Sequence, residues 1–170
     1  MNLSTEQLLE LAQFSFLRID GAFVMALERK FGKETAWEMD IEAWKQFSYV
    51  FGKRIRKDFI PNPVWPKSFL NLLDIFYQVM KVEGREVIVD SDKITIRVTD
   101  CEFQKAIAKA GIADCGIVTV QNCEGLFRGL FGKEVDVLVQ HTKNLNQGDD
   151  FCEIIISGQM QAQQTAAAER

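Results

Sequence analysis

The run REVIVDSDKITIRVTD, residues 85–100, decides the fold class. Two β-branched segments flank the polar turn Asp90-Ser91-Asp92-Lys93, the pattern of an antiparallel β-hairpin. Ile94, Ile96 and Val98 share one face of the second strand, and Thr95, Arg97 and Thr99 take the other, so one face is expected to be buried. Two further strands are expected near the C-terminus, EVDVLVQH (134–141) and FCEIIIS (151–157), joined by the polar loop TKNLNQGDD. With helical patterns before and between these strands, the expected fold is α+β. A long N-terminal helical hairpin and further helices pack on an antiparallel sheet of about four strands.

Upstream, Ser4 and Gln7 have capping-box spacing, and Leu8, Leu11, Ala12, Ser15, Phe16 and Ile19 recur at helical intervals. The pattern continues through Phe23, Leu27 and Phe31 to Gly32, so helix one is long, or bent near Asp20 and Gly21. Asp20 lies beside the apolar face and requires a partner, either Arg18 or a residue of the next helix. From Lys33 to about Phe59 a second helix carries Trp37, Ile41, Trp44, Phe47, Ser48, Phe51 and Ile55 on one side and should pair with the first. The segment IPNPVWPK (60–67) breaks regular structure. A third helix then runs from Pro66 to about Val82. Residues 1–60 are thus expected to form the helical hairpin and residues 61–158 an α+β unit sharing its core, with 159–170 a frayed tail.

Downstream of the hairpin, Asp100 can cap a helix over Glu102–Lys109, placing Cys101 at a strand-to-helix junction where backbone amides would lower a thiol pKa. Asn122 is a plausible cap for a helix ending at Gly132.

The chain has 170 residues, a net charge of −4, four cysteines, one histidine and thirteen phenylalanines. An acidic balance gives no general field for a phosphate backbone, which argues against nucleic acid as a partner. The cluster Lys53, Arg54, Arg56 and Lys57 reads as cations at a helix C-terminus. No run approaches a membrane span, and the N-terminus lacks the pattern of a signal peptide, so the expected location is cytoplasmic. Cysteines of a reducing compartment are free, metal-bound or reactive more often than disulfide-bonded.

Three of these cysteines, Cys101, Cys115 and Cys152, stand next to acidic residues at the edges of apolar runs, and strand period two puts His141 and Cys152 at the ends of two apolar rows. A hairpin symmetric about Asn146 and Gln147 would set His141 opposite Cys152. Convergence of Cys101, Cys115, His141 and Cys152 would create a site for zinc or iron. Alternatively Cys101 would be a nucleophile with His141 as its base, oriented by an aspartate. The simplest reading treats the thiols as small buried hydrophobes. Phe16, Phe23, Trp44, Phe103 and Phe127 are candidates to contact an apolar or aromatic ligand.

The segment FLRIDGAFVMALERKFGKETAWEMDIEAWK (16–45), with DCEFQKAIAKAG (100–111) and GDDFCEIII (148–156), resembles a group of prokaryotic cytosolic proteins of unknown function. That group is similar to the L-2-amino-thiazoline-4-carboxylic acid hydrolase family and, more distantly, to 4-vinyl-reductase-like small-molecule-binding domains. The resemblance implies helices on an antiparallel sheet, a hydrophobic pocket between the two, a homodimer, and cysteines at positions 101, 115 and 152. The residues and the resemblance together favour a cytoplasmic small-molecule binding or sensing module with a cysteine-rich site. The rival readings are a hydrolase of a small cyclic or amide C–N bond, using metal-activated water or a thiolate, and a structural or assembly protein with no site.

Overall fold

The computed structural model describes residues 2–159 as α1 (Thr5–Phe31), α2 (Lys33–Asp58), α3 (Lys67–Val79), β1 (Arg85–Asp90), β2 (Lys93–Val98), α4 (Glu102–Lys109), α5 (Gly116–Phe131), β3 (Asp136–Lys143) and β4 (Cys152–Gln159), with a 3-10 turn at Leu145–Gln147. The α+β expectation holds. The tail expected beyond residue 159 lies outside the described residues.

Helix α1 begins as its sequence directs. Gln7 N donates to Ser4 Oγ at 3.1 Å and Ser4 N donates to Gln7 Oε1 at 2.9 Å, satisfying two amides that the helix leaves open. It continues as one uninterrupted helix through Asp20 and Gly21 to Phe31. Gly32, at φ +87°, ends α1 and starts α2, a backbone conformation that a side chain would disfavour. One residue therefore joins the two helices.

The antiparallel sheet has the order β1-β2-β4-β3. Ile94, Ile96 and Val98 of β2 and Cys152, Ile154 and Ile156 of β4 are buried, as period two requires. They meet Phe69, Leu72 and Leu73 of α3 and Leu126, Phe127 and Leu130 of α5 in one core. Helix α2 then packs on α5, and α1 pairs with α2 outside it.

The α2–α5 crossing is close because small residues line it. A Cβ built on Gly52 would stand 2.5 Å from Leu126 O, and one on Gly125 would stand 2.8 Å from Lys45 O. One on Gly129 would run into Tyr49 O. Between these glycines, fully buried Ser48 donates to Trp44 O at 2.6 Å, and its hydroxyl meets the Asn122 side chain at 2.5 Å.

Three boundaries differ from the sequence reading. Asn122 lies inside α5, which starts at Gly116; the short apolar run at 117–120 has no period of its own, and Ser48 supplies the partner that makes a mid-helix Asn acceptable. Cys101, not Asp100, is the N-cap of α4. Helix α3 stops at Val79 because Lys81 adopts φ +55° and turns the chain, returning Val82 to the core.

Candidate functional site

Strands β3 and β4, the loop between them and the start of α5 place His141, Cys152 and Cys115 together. The β3–β4 register pairs His141 with Ile154, two residues away from the expected partner Cys152. A two-residue offset keeps side chains on the same face, so His141 and Cys152 become diagonal neighbours and still interact. The extra length is taken up by the irregularity between His141 and Lys143 and by the Leu145–Gln147 turn.

Asn144, which sequence reasoning passed over, ties the cluster. It is buried, and its Nδ2 donates to Asp114 Oδ1 at 2.9 Å, while Asp114 Oδ1 also accepts from Gly116 N at 2.7 Å. Its Oδ1 accepts from Asn146 N at 2.9 Å and lies 3.5 Å from Cys115 Sγ. The next residue, Leu145, donates its N–H to Cys152 Sγ at 3.5 Å. Consecutive loop residues thus hold both sulfurs and set the Cys115 and Cys152 side chains facing each other. An asparagine in a polar loop carries no periodic signal, so only the folded loop reveals this role.

The thiols differ sharply. Cys152 is held well below the ordinary thiol value, chiefly by the Cys115 thiol and then by His141 and the Leu145 amide, against the cost of burial. Cys115 is pushed up by the same contact and by burial. Cys101 was expected to be activated by the helix terminus. Its Sγ does accept from Gln104 N at 3.5 Å, yet burial outweighs that bond and raises its pKa. The activated sulfur is therefore on Cys152. Cys123, buried in α5, is raised to about 12. On the other side of the cluster, a Cβ on Gly116 would stand 2.6 Å from His141 Nδ1, so the ring lies tight against the α5 terminus. His141 Nε2 is buried without a hydrogen-bond partner.

Among the described residues, no group of three or more His, Cys, Asp or Glu side chains is arranged to hold a metal ion. The expected tetrad of Cys101, Cys115, His141 and Cys152 converges in part, but the sulfurs are turned to different polar partners: Gln104 N for Cys101, Asn144 for Cys115 and Leu145 N for Cys152.

The candidate ligand aromatics separate. Phe127 is fully buried, stacked within 4.6–5.5 Å of Phe131, Phe69 and Trp65, and it fills the space between helices and sheet where a pocket was expected. Phe16, Trp44 and Phe103 form a ring chain across α1, α2 and α4, with centroids 5.8 and 5.3 Å apart. Phe23 is 60% exposed and lines an open cleft of about 430 Å³ between α1 and α2, with Leu27, Met39, Glu42, Ala43 and Gln46.

Beside that cleft, Asp20 finds the partner it needs on the next helix, the Trp44 side chain, although burial still raises its pKa. Asp40, 8% exposed, is raised to about 7, mainly by burial and then by the charge of Asp20. A raised carboxyl favours the folded state while protonated. Its penalty is absent below the ordinary value of 3.8, grows as pH rises and is complete above about 7. Asp40→Asn is expected to stabilise the chain by roughly 2 kcal/mol at pH 8 and to leave it unchanged at pH 4. Urea unfolding at the two pH values measures this, and equal effects at both would refute it.

No helix of the described residues is long and apolar enough to cross a membrane. No curated protein matches the chain. In fold, it is similar to the phenol-responsive sensory domain of the transcription activator PoxR, solved with phenol, at a TM-score of 0.58 and 13% identity over 87% of this chain and 77% of that one. It is also similar to a trafficking protein particle complex subunit 3 from Naegleria fowleri covalently bound to palmitic acid, at a TM-score of 0.55 and 11% identity, covering 88% and 96%. At such identities these likenesses are of fold alone, and the comparisons give no support to the hydrolase and vinyl-reductase families suggested by the sequence. By the match of its residues 1–151, the chain belongs to a family of unknown function, DUF6125.

Proposed function

We propose that the protein is a cytoplasmic small-molecule binding or sensing module whose apolar or aromatic ligand occupies the cleft between α1 and α2. The observation that carries this reading is the cleft itself. Its volume of about 430 Å³ suits a small ligand, its walls are Phe23, Leu27, Met39 and Ala43, and only Glu42 and Gln46 offer polar contacts. The phenol-bound sensory domain of similar fold supports the ligand class. Native mass spectrometry of the purified chain should reveal a retained small molecule, and phenol, used as a probe, should raise Tm saturably. Phe23→Arg, at a position already exposed, should leave the fold intact and abolish that rise. A protein without retained ligand and without a phenol shift would remove the proposal, as would a shift that persists in the variant.

The partner of this module is a second copy. No residue of the 27-residue α1 is buried, although one of its faces meets α2. Away from α2, Leu8, Ala12, Ser15, Ile19, Ala22 and Ala26 recur at alternating four- and three-residue steps, the spacing of a helix-pairing seam, with small residues that permit close approach. Glu6 lies in the first turn and Arg29 and Lys30 in the last, so two antiparallel copies would bring opposite charges together. Ile19 is 67% exposed, and Ile19→Glu should therefore fold normally while converting a dimer to a monomer. Light scattering tests this: a monomeric unmodified protein, or a variant that stays dimeric, would exclude the seam.

A further inference from the structure

We propose that Cys115 and Cys152 form a reversible intramolecular disulfide in response to a hydroperoxide, making the end of the sheet a redox-sensitive site separate from the ligand cleft. The two sulfurs come from different elements, the N-terminus of α5 and the first residue of β4, and both are buried, 6% and 7% exposed. They are brought together by one turn: Asn144 Oδ1 lies 3.5 Å from Cys115 Sγ, and the adjacent Leu145 N lies 3.5 Å from Cys152 Sγ. Held by consecutive residues of that turn, the Cys115 and Cys152 side chains face each other, with the Cys115 S–H donated to Asn144 Oδ1. His141, held against Gly116, faces Cys152 Sγ, and its buried Nε2 has no hydrogen-bond partner. Cys152 Sγ accepts the Leu145 amide N–H and faces His141, groups that favour a thiolate, so it is the attacking sulfur, and Cys115, on the facing helix terminus, is the resolving one.

The chemistry balances. The Cys152 thiolate attacks one oxygen of the hydroperoxide and the O–O bond breaks. The departing oxyanion takes the Cys115 thiol proton and leaves as water or an alcohol, and Cys152 becomes a sulfenic acid. The Cys115 thiolate then attacks the Cys152 sulfur, the S–O bond breaks and hydroxide leaves as the S–S bond forms. The two sulfurs together give two electrons to the peroxide, and a dithiol reductant restores them by exchange. Cys123, inside α5 and far from ionisation, has no part in this.

The test uses the full chain and hydrogen peroxide near pH 6.5, followed by quenching and peptide mapping. The expected product is a Cys115–Cys152 cross-link lacking two hydrogens and reversed by dithiothreitol. Cys101→Ser should leave its formation rate within about twofold, because that sulfur is turned to Gln104. Cys115→Ser should stop at a sulfenic acid on Cys152 that dimedone traps. Cys152→Ser should slow thiol loss at least about tenfold. Mapping of the unmodified chain decides the question even if a variant folds poorly. Absence of the cross-link, a Cys101–Cys152 link in its place, or dimedone on Cys123 first would overturn the proposal. Phenol binding is read independently, so failure here leaves the cleft reading untouched and the reverse.

Discussion

Gly129→Val is expected to leave the chain without a cooperative thermal transition. A Cβ at this position would collide with Tyr49 O and stand 2.9 Å from both Gly52 Cα and Lys53 N, all backbone atoms that cannot swing aside. Room can be made only by separating α2 from α5, the helix pair with the most extensive contact in the fold. Overpacking by a methylene or two ordinarily costs about 1–3 kcal/mol, and collision with backbone belongs at or above the top of that range. Gly129→Ala alone should therefore cost about 3 kcal/mol, a large share of the roughly 5–15 kcal/mol that holds a domain folded. Gly21 provides the control. It lies in the middle of α1 with nothing within 4 Å of its would-be Cβ, so Gly21→Ala should stabilise by about 0.5–1 kcal/mol through helix propensity. Circular dichroism melts of the three variants decide the matter, and a Gly129→Val chain melting like the unmodified protein would refute the close crossing.

Phe127→Ala is expected to lower stability by about 3–5 kcal/mol. The ring has 0% exposure and is the hub of an aromatic cluster, with Trp65, Phe69 and Phe131 around it, and its edge rests against Gly158. Its removal opens a cavity that backbone on the β4 side and two helices cannot close. Urea denaturation should show this as a lower midpoint with an unchanged slope. The same experiment separates core from pocket. Were Phe127 a ligand-contact residue on an open wall, truncation would cost about 1 kcal/mol or less and instead alter phenol binding.

The contrast between Phe127 and Phe23 shows where the sequence stops being informative. Both stand in helices among apolar neighbours, and both fit the description of a residue that could touch a ligand. Periodicity tells which face of its own helix a residue occupies but not which other element covers that face. Phe127 is covered by α3 and by the sheet, whereas Phe23 is left on a cleft wall. Similarly, the helical spacing of Leu8, Ala12, Ser15 and Ile19 in α1 is visible in the sequence, but that these positions face away from α2 is not.

The candidate site was legible in its members and not in its logic. Cys152 and His141 stood out because a cysteine or histidine continuing a strand's apolar row has a face assigned by period two, which a register displaced by an even number preserves, whereas Cys115 stood out only as a thiol beside an acidic residue at the edge of an apolar run. The register itself depends on how the Leu145–Gln147 turn and the irregularity near Lys143 absorb chain length, which local pattern does not encode. The identity of the activated thiol was also beyond it. A helix terminus at Cys101 is a local feature, while its burial and the Cys115–Cys152 contact require segments 37 residues apart to meet.

By itself the sequence determined the elements whose causes are local: the capping box at Ser4, the break at Gly32, the hairpin of 85–100 with its buried face, and α4 at Glu102–Lys109. These follow from hydrogen bonds, backbone dihedrals and side-chain alternation within a few residues. Only the tertiary structure decided the close α2–α5 crossing, the filling of the helix–sheet interface by Phe127, the position of the cleft and the pairing of Cys115 with Cys152. Each of these is a contact between distant segments, set by which surfaces exclude water together, and no window of sequence contains both partners.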